Sequence, residues 1–168
     1  MRLQRAALSS ISACTMLVLV ASPAHADNDD NTLVPNNKRL NHGVVANVYT
    51  VQHQAGCTND VRIDPRLQQA ARWHANDVLT DRTLDGDVGS DGSTPQSRAD
   101  AAGYRGQVAQ TVAVNPALAI NGVDVINQWY HDPVDFAVMA NCAYSEMGVW
   151  SVNSLDRSVL VAVYGQPQ

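Results

Sequence analysis

The stretch DVGSDGSTPQSRADAAGY, Asp87 to Tyr104, decides the fold. It places an acidic glycine loop, a helix start and a helix stop within 18 residues. Gly89 and Gly92 permit tight turns or positive φ. Ser93 or Thr94 can cap a helix, and Pro95 suits the first turn. Gly103 stops that helix. An irregular loop feeding a short helix is a common setting for a site.

Upstream, the chain begins like an export signal. Arg2 and Arg5 form a basic start, and Ala6 to Ala21 is apolar or small, densest from Met16 to Ala21. Ala24-His25-Ala26 fits the small-x-small cleavage pattern, which predicts a mature chain from Asp27. A retained membrane helix needs about 20 apolar residues, and the dense run is shorter. No transmembrane helix is therefore expected in the mature chain. Ile11-Ser12-Ala13-Cys14 has the form of a lipobox, but most of the apolar region follows the cysteine instead of preceding it. Simple export is the favoured reading, with the protein secreted or held at the cell envelope.

Removing 26 of 168 residues leaves 142, one domain's worth with enough chain for a core. The leader holds two of 11 basic residues and none of 16 acidic ones. The mature domain thus sets nine basic residues against 16 acidic, a net charge of −7. Such a domain is unsuited to nucleic acid or anionic lipid. Fifteen of the acids are Asp, which suits caps and turns more than helix faces. Cys14 leaves with the leader. Cys57 and Cys142 remain, an even pair in an oxidising compartment, and are read as a disulfide. That bond closes a loop of about 85 residues and stabilises by up to ~4.5 kcal/mol on the chain-entropy model. The competing readings are two buried free thiols and a catalytic thiol, the latter lacking a nearby base in sequence.

Residues 27–37 are polar and aperiodic and read as a tether, leaving residues 38–168 as the domain. From Lys38 to Gln54, Leu40, Val44, Val48 and Val51 recur at helical spacing. Asp64-Pro65 opens the clearest helix, with Leu67, Ala70, Ala71, His74, Val78 and Leu79 on one face. His74 is read as a core histidine bonded to a carbonyl, in preference to a ligand or base. Gly106 to Val114 alternates like a strand. Asn121 to His131 reads as a helix with Val123, Ile126 and Trp129 or Tyr130 inward. A short helical turn begins at Asp132-Pro133, and two strands follow, Met147 to Val152 and Ser158 to Tyr164. Trp73, Trp129 and Trp150 are expected in the core. The order of elements argues for an α+β fold built in layers.

These segments, in this order, resemble the CAP superfamily: cysteine-rich secretory proteins, venom-allergen antigens, plant pathogenesis-related proteins and secreted bacterial relatives. AARWHANDVL (Ala70 to Leu79) is similar to the family's A-x-x-H-A-x-D-M helix. GSDGSTPQSR followed by AAGY resembles the bacterial loop H-x-G-S-D-G-S-T-P-x-x-R and its A-G-Y. AQTVA (Ala109 to Ala113) stands where the family has E-N-I-A. WYHDP (Trp129 to Pro133), YSEMGVW and VLVAVYG resemble later motifs. The placement of Cys57 and Cys142 also matches bacterial members. The likeness runs from about Leu40 to Gly165. It implies a three-layer α-β-α sandwich with a central, mostly antiparallel sheet and a cleft on one side.

The family's cleft often carries two His and two acids, which bind zinc or another divalent ion in some members. Carried onto this chain, the first His falls on Asp87 and the first Glu on Gln110. The second acid falls on Asp132 and the second His on Asp135. No histidine stands at a family position, and His131 reads as an exposed residue at a helix end. Zinc wants nitrogen or sulfur. Oxygen donors at Asp87, Asp132 and Asp135 leave only Ca²⁺ or Mg²⁺ as an alternative to no cofactor. Three carboxylates there repel, so one is expected to hold a proton or the set to hold a cation. Asp132 before Pro133 also has the position of a helix cap. No G-x-S-x-G, H-E-x-x-H or C-x-x-C occurs. Ser90 and Ser93 lack an assignable base, and Asp91 reads as a loop-bracing Asx turn. The expectation is a non-catalytic binding or interaction protein, taking a lipid, a sterol, an envelope polymer or another protein. An extracellular hydrolase using Asp87 and Asp135 as an acid/base pair is the alternative. A structural envelope protein without a discrete site is a third.

Overall fold

A computed structural model describes residues 37–168. The leader, and the tether up to residue 36, lie outside the described residues. Nine elements follow one another: α1 (Asn37–Gln54), β1 (Arg62–Ile63), α2 (Pro65–Thr80), α3 (Pro95–Ala101), β2 (Gly106–Asn115), α4 (Gly122–His131), α5 (Pro133–Met139), β3 (Glu146–Ser154) and β4 (Arg157–Pro167). Asn37, read as tether, instead opens α1. Its Nδ2 donates to the Ser151 carbonyl at 3.2 Å, which ties it to β3.

Local chemistry sets the helix starts. Asp64 accepts from the amides of Arg66 and Leu67, with Pro65 in the first turn of α2. Thr94, not Ser93, caps α3, in a reciprocal capping box with Ser97. Asn121 caps α4 and Asp132 caps α5.

The sheet order is β1-β3-β4-β2. β2–β4 and β3–β4 are antiparallel, and β1 runs parallel to β3. The two-residue β1 escaped the sequence reading because two residues carry no period. It exists because Arg62 N–H and Asp64 N–H donate to the Ser145 and Met147 carbonyls, each at 2.9 Å.

β4 is buried on both faces, and its alternation builds two cores. Leu160, Ala162 and Tyr164 pack with Val44, Val48, Trp129 and Met139 from α1, α4 and α5. Val159, Val161 and Val163 pack with Leu67, Ala70, Ala71 and Val78 of α2 and Ala99 of α3. Helices thus cover both faces of the sheet, giving the α-β-α sandwich. Trp129 is fully buried, and its Nε1 donates to the Val112 carbonyl at 3.1 Å. Val123 points outward, 68% exposed, and Val125 takes the inward place. The apolar face of α4 is set by Val125 and Trp129, four residues apart, one place off the frame expected. Trp73 is 41% exposed and is no core residue. A disulfide joins Cys57 to Cys142 with Cα atoms 5.3 Å apart, so the end of α1 is tied to the turn after α5.

α2 lies unusually close to the sheet. A Cβ at Gly148 of β3 would stand 2.1 Å from the Leu67 carbonyl carbon and the Gln68 nitrogen. Ala70, Ala71 and Ala75 keep the rest of that helix face shallow. Gly148→Ala must push α2 off β3, and overpacking of this kind costs roughly 3 kcal/mol. Urea unfolding is expected to show that loss, with the fold retained at low denaturant.

Candidate functional site

The loop between α2 and α3 is held from both sides. His74 of α2 is 1% exposed, and its Nε2 donates to the Gly86 carbonyl at 2.7 Å. Burial depresses its pKa, so the ring is the neutral Nε2–H tautomer with a bare Nδ1. The reading of His74 as a core histidine bonded to a carbonyl holds. One turn on, Asp77 accepts from Ser90 N–H at 2.8 Å and from Ser90 Oγ at 2.6 Å. Asp91 Oδ1 accepts from Ser93 N–H at 2.8 Å, the expected Asx turn. Gly89 is glycine for want of space: an added Cβ would lie 2.7 Å from Ser93 Oγ. The loop closes on itself there, Gly89 N–H donating to Ser93 O and Gly92 N–H to Gly89 O, both at 2.9 Å.

Arg98 of α3 does the tying from the other side. It is only 5% exposed. Nη1 donates to Ser93 O at 2.8 Å and Ser93 Oγ at 3.0 Å. Nη2 donates to Asp87 O at 2.7 Å and Gln110 Oε1 at 3.1 Å. Gln110, buried on β2, then donates from Nε2 to Asp87 Oδ1 at 3.0 Å. The amide orientation follows from these partners, since only oxygen can accept from Arg98 and only nitrogen can donate to Asp87.

The two remaining positions lie at the α4–α5 junction. Asp132 Oδ1 accepts from Val134 N–H at 2.8 Å and Asp135 N–H at 3.1 Å, as its place before Pro133 predicts. Asp135 is half-buried, and its pKa is raised to about 6 by burial first, then by the Asp132 and Asp87 charges. Repulsion from the neighbouring carboxylates thus adds to the effect of burial in favouring the protonated form of Asp135. Tyr164 lies within reach of the same charge. Burial holds its phenol neutral, and the hydroxyl shares a 3.0 Å hydrogen bond with Thr111 Oγ1. His131 is exposed, its Nδ1 donating to the Asn127 carbonyl of its own helix at 2.8 Å.

The structure therefore pairs Asp87 with Gln110 directly and brings Asp135 within their field, while Asp132 serves the backbone of α5. This donor set does not fit zinc. It has no imidazole or thiolate, and the Oδ1 atoms of Asp87 and Asp132 are already engaged. Among the described residues, no three His, Cys, Asp or Glu side chains stand together as a metal-holding group. Sequence reasoning missed Arg98 and Asp77, which organise the loop. Asp77 could have been found, because it sits three residues after His74 and so shares its helix face. Arg98 offered a weaker signal, a lone cation beside the small residues of a short helix.

Arg98→Met is expected to leave the Asp87 carbonyl, Gln110 Oε1 and Ser93 Oγ without the Arg98 donor, and Ser93 O with only its Gly89 N–H. The loss should be roughly 3 kcal/mol or more, read by urea unfolding. Arg98→Lys should recover only part, because one ammonium cannot span the four acceptors of a planar fork. Asp135 generates a pH prediction. Its folded pKa of about 6 lies above the ordinary 3.8, so its contribution to stability is present below pH 4 and lost as pH rises through 6. Asp135→Asn should therefore be more stable than the parent at pH 7, by about 1 kcal/mol after allowance for solvent screening. The two should be equal at pH 3.5, and thermal melts across that window read the difference.

Comparison with known proteins agrees with the geometry. The model of the cysteine-rich secretory protein family, CAP, matches residues 34–164. No curated protein sequence matches the chain significantly. Among solved structures, an outer surface protein from Borrelia burgdorferi superposes with a TM-score of 0.65 at 15% identity, over 76% of this chain and 92% of that one. An extracellular SCP-domain protein from Bacillus anthracis gives 0.65 at 11% identity, over 77% of this chain and 41% of that one. A cysteine-rich secretory protein from Staphylococcus aureus gives 0.59 at 15%, over 79% and 40%. Against the latter two, the chain spans about two fifths of the other protein's length. At these identities the likeness speaks for the fold. With the family model covering most of the sequence, and with the α-β-α sandwich in place, the chain belongs to the cysteine-rich secretory protein (CAP) family.

Proposed function

We propose that the chain is a secreted, non-catalytic binding domain that works outside the cell or at its envelope and holds no metal centre. One observation carries this reading: three of the four polar groups at the family's cleft positions, Asp87, Gln110 and Asp132, are spent on hydrogen bonds within the protein. Arg98, Gln110 and Asp87 form a continuous hydrogen-bonded run. Asp132 caps α5. Catalysis needs a group whose proton or lone pair is free to reach a substrate. His74 is 1% exposed with Nε2 held by Gly86, and the Ser90 hydroxyl donates to Asp77, which argues against either as base or nucleophile. Secretion is supported by the Cys57–Cys142 bond and by relatives described as secretory or extracellular. It is supported further by the leader-like first 26 residues, with cleavage after Ala26.

A second reading has one observation in its favour. Asp135 keeps a proton to about pH 6, as a general acid does, with Asp87 close enough to act on it. That hydrolase would have to free Asp87 from Gln110 before Asp87 could serve as a base.

Metal content and turnover separate the readings. Protein isolated from medium without added ions should carry far less than stoichiometric zinc, calcium or magnesium by mass spectrometry. It should release no product from casein or cell-wall substrates. Turnover abolished by Asp135→Asn establishes the hydrolase instead, and stoichiometric metal overturns the proposal. Intact mass of the exported protein should correspond to a chain starting at Asp27 with the cysteine pair oxidised.

A further inference from the structure

A concavity lies between α2, the Gly89–Ser93 loop and α3, sharing only Arg98 with the hydrogen-bonded run through Asp87 and Gln110. It measures about 390 Å³, and its walls include Trp73, Asp77, Ser90, Asp91, Ser93 and Arg98. That volume is in the range of small-ligand sites.

Its walls have an unusual composition. Trp73 is 41% exposed, whereas Trp129 is fully buried. Among the described residues, no hydrogen bond engages the Trp73 indole N–H. An open indole offers a flat apolar face and a free donor at its edge. Around it stand hydroxyls and carboxylates that are already held in place. Asp77 is fixed by two bonds from Ser90, and Ser93 by Arg98 Nη1. Each Asp77 oxygen accepts one hydrogen bond from Ser90 and retains a second lone-pair direction. Groups fixed beforehand lose little entropy when a ligand arrives.

Charge and polarity then select the ligand. Two carboxylates outnumber the one guanidinium, and the Nη protons of Arg98 that bond Ser93, Asp87 and Gln110 are committed to the protein. An anionic ligand meets net repulsion. A purely apolar ligand leaves the hydroxyls and carboxylates desolvated without partners, which is costly. A ligand that suits both walls needs an apolar C–H face for the indole and outward O–H groups for the carboxylate acceptors. A pyranose ring has that division.

We propose that this cavity binds a short neutral saccharide, a sugar ring resting on Trp73 with its hydroxyls donating to Asp77 and Asp91. The assignment deepens the reading of the chain as a binding domain and rests on it, by naming the ligand class. It uses none of Asp87, Gln110, Asp132 or Asp135.

The test is calorimetry of the purified full mature chain against soluble neutral trisaccharides: chitotriose, cellotriose, maltotriose and mannotriose. At least one should bind. Trp73→Ala should weaken that binding by about tenfold or more, as should Asp91→Asn. Tyr130→Ala, an exposed aromatic outside this cavity, should leave it unchanged. Trp73→Phe should restore part of the affinity if the loss arises from the ring and not from misfolding, and thermal melts of every variant check the fold. No binding across the panel overturns the proposal, as does binding that survives Trp73→Ala. Binding accompanied by cleavage of the sugar leaves the site standing and defeats the non-catalytic reading, so the two fail separately.

Discussion

The guanidinium of Arg98 is the interaction on which the loop, the third helix and the edge strand all depend. A buried cation is costly unless its donors are satisfied. Here four neutral acceptors engage the Nη protons, namely Ser93 O and Oγ, the Asp87 carbonyl and Gln110 Oε1, while the buried Nε has no protein partner among the described residues. Each acceptor comes from a segment that would otherwise be free to part from the others. Burial lowers the Arg98 pKa, and the charges of Asp87, Asp91 and Asp77 oppose that fall. The acidic loop therefore has an electrostatic use: it supports the cation that pins it. Gln110 completes the arrangement because an amide can accept from Arg98 and donate to Asp87 at once. A carboxylate in its place could do only the first.

That pinning works because the platform beneath it is rigid. β4 is apolar on both faces and feeds two cores, so neither helical layer can shift without disturbing the same strand. α2 approaches β3 backbone to backbone at Gly148. His74 and Asp77 leave that helix at fixed positions and hold the loop at Gly86 and Ser90. A glycine-rich segment is thus held from α2 on one side and α3 on the other. Partners outside it add to its own turn hydrogen bonds and offset a composition that favours mobility. The same bracing leaves Trp73 open on the outer side of α2, beside polar groups that cannot move away.

Much of the fold was legible because it rests on local chemistry. Asp64-Pro65, Asn121 and Asp132-Pro133 each announced a helix through a side chain that accepts from nearby amides, and those contacts span only two or three residues. Alternation in β2 and the continuous apolar run of β4 were equally plain. The errors have a common cause. Val123 was placed inward and Val125 was not, because a ten-residue helix offers more than one apolar stripe and only the sheet selects among them. Trp73 was assigned to the core from its residue type, yet its exposure depends on where α3 and the loop stop short of it. β1 is a product of the neighbouring strand and has no pattern of its own.

For the site the division is sharper. Read alone, the sequence determined which atoms stand at the positions the family resemblance singles out: oxygen and amide at Asp87, Gln110, Asp132 and Asp135, with no imidazole. That follows from residue identity, which folding cannot alter. The caps and strand pattern were likewise its own, because they depend on neighbours a few residues away. Only the tertiary structure decided how those atoms are spent. It joined Asp87 to Gln110 across 23 residues, set Arg98 against both, and left Asp135 half-buried with its pKa raised to about 6. Such outcomes depend on distance, burial and competing partners between segments remote in sequence, and these come into being only when the layers close.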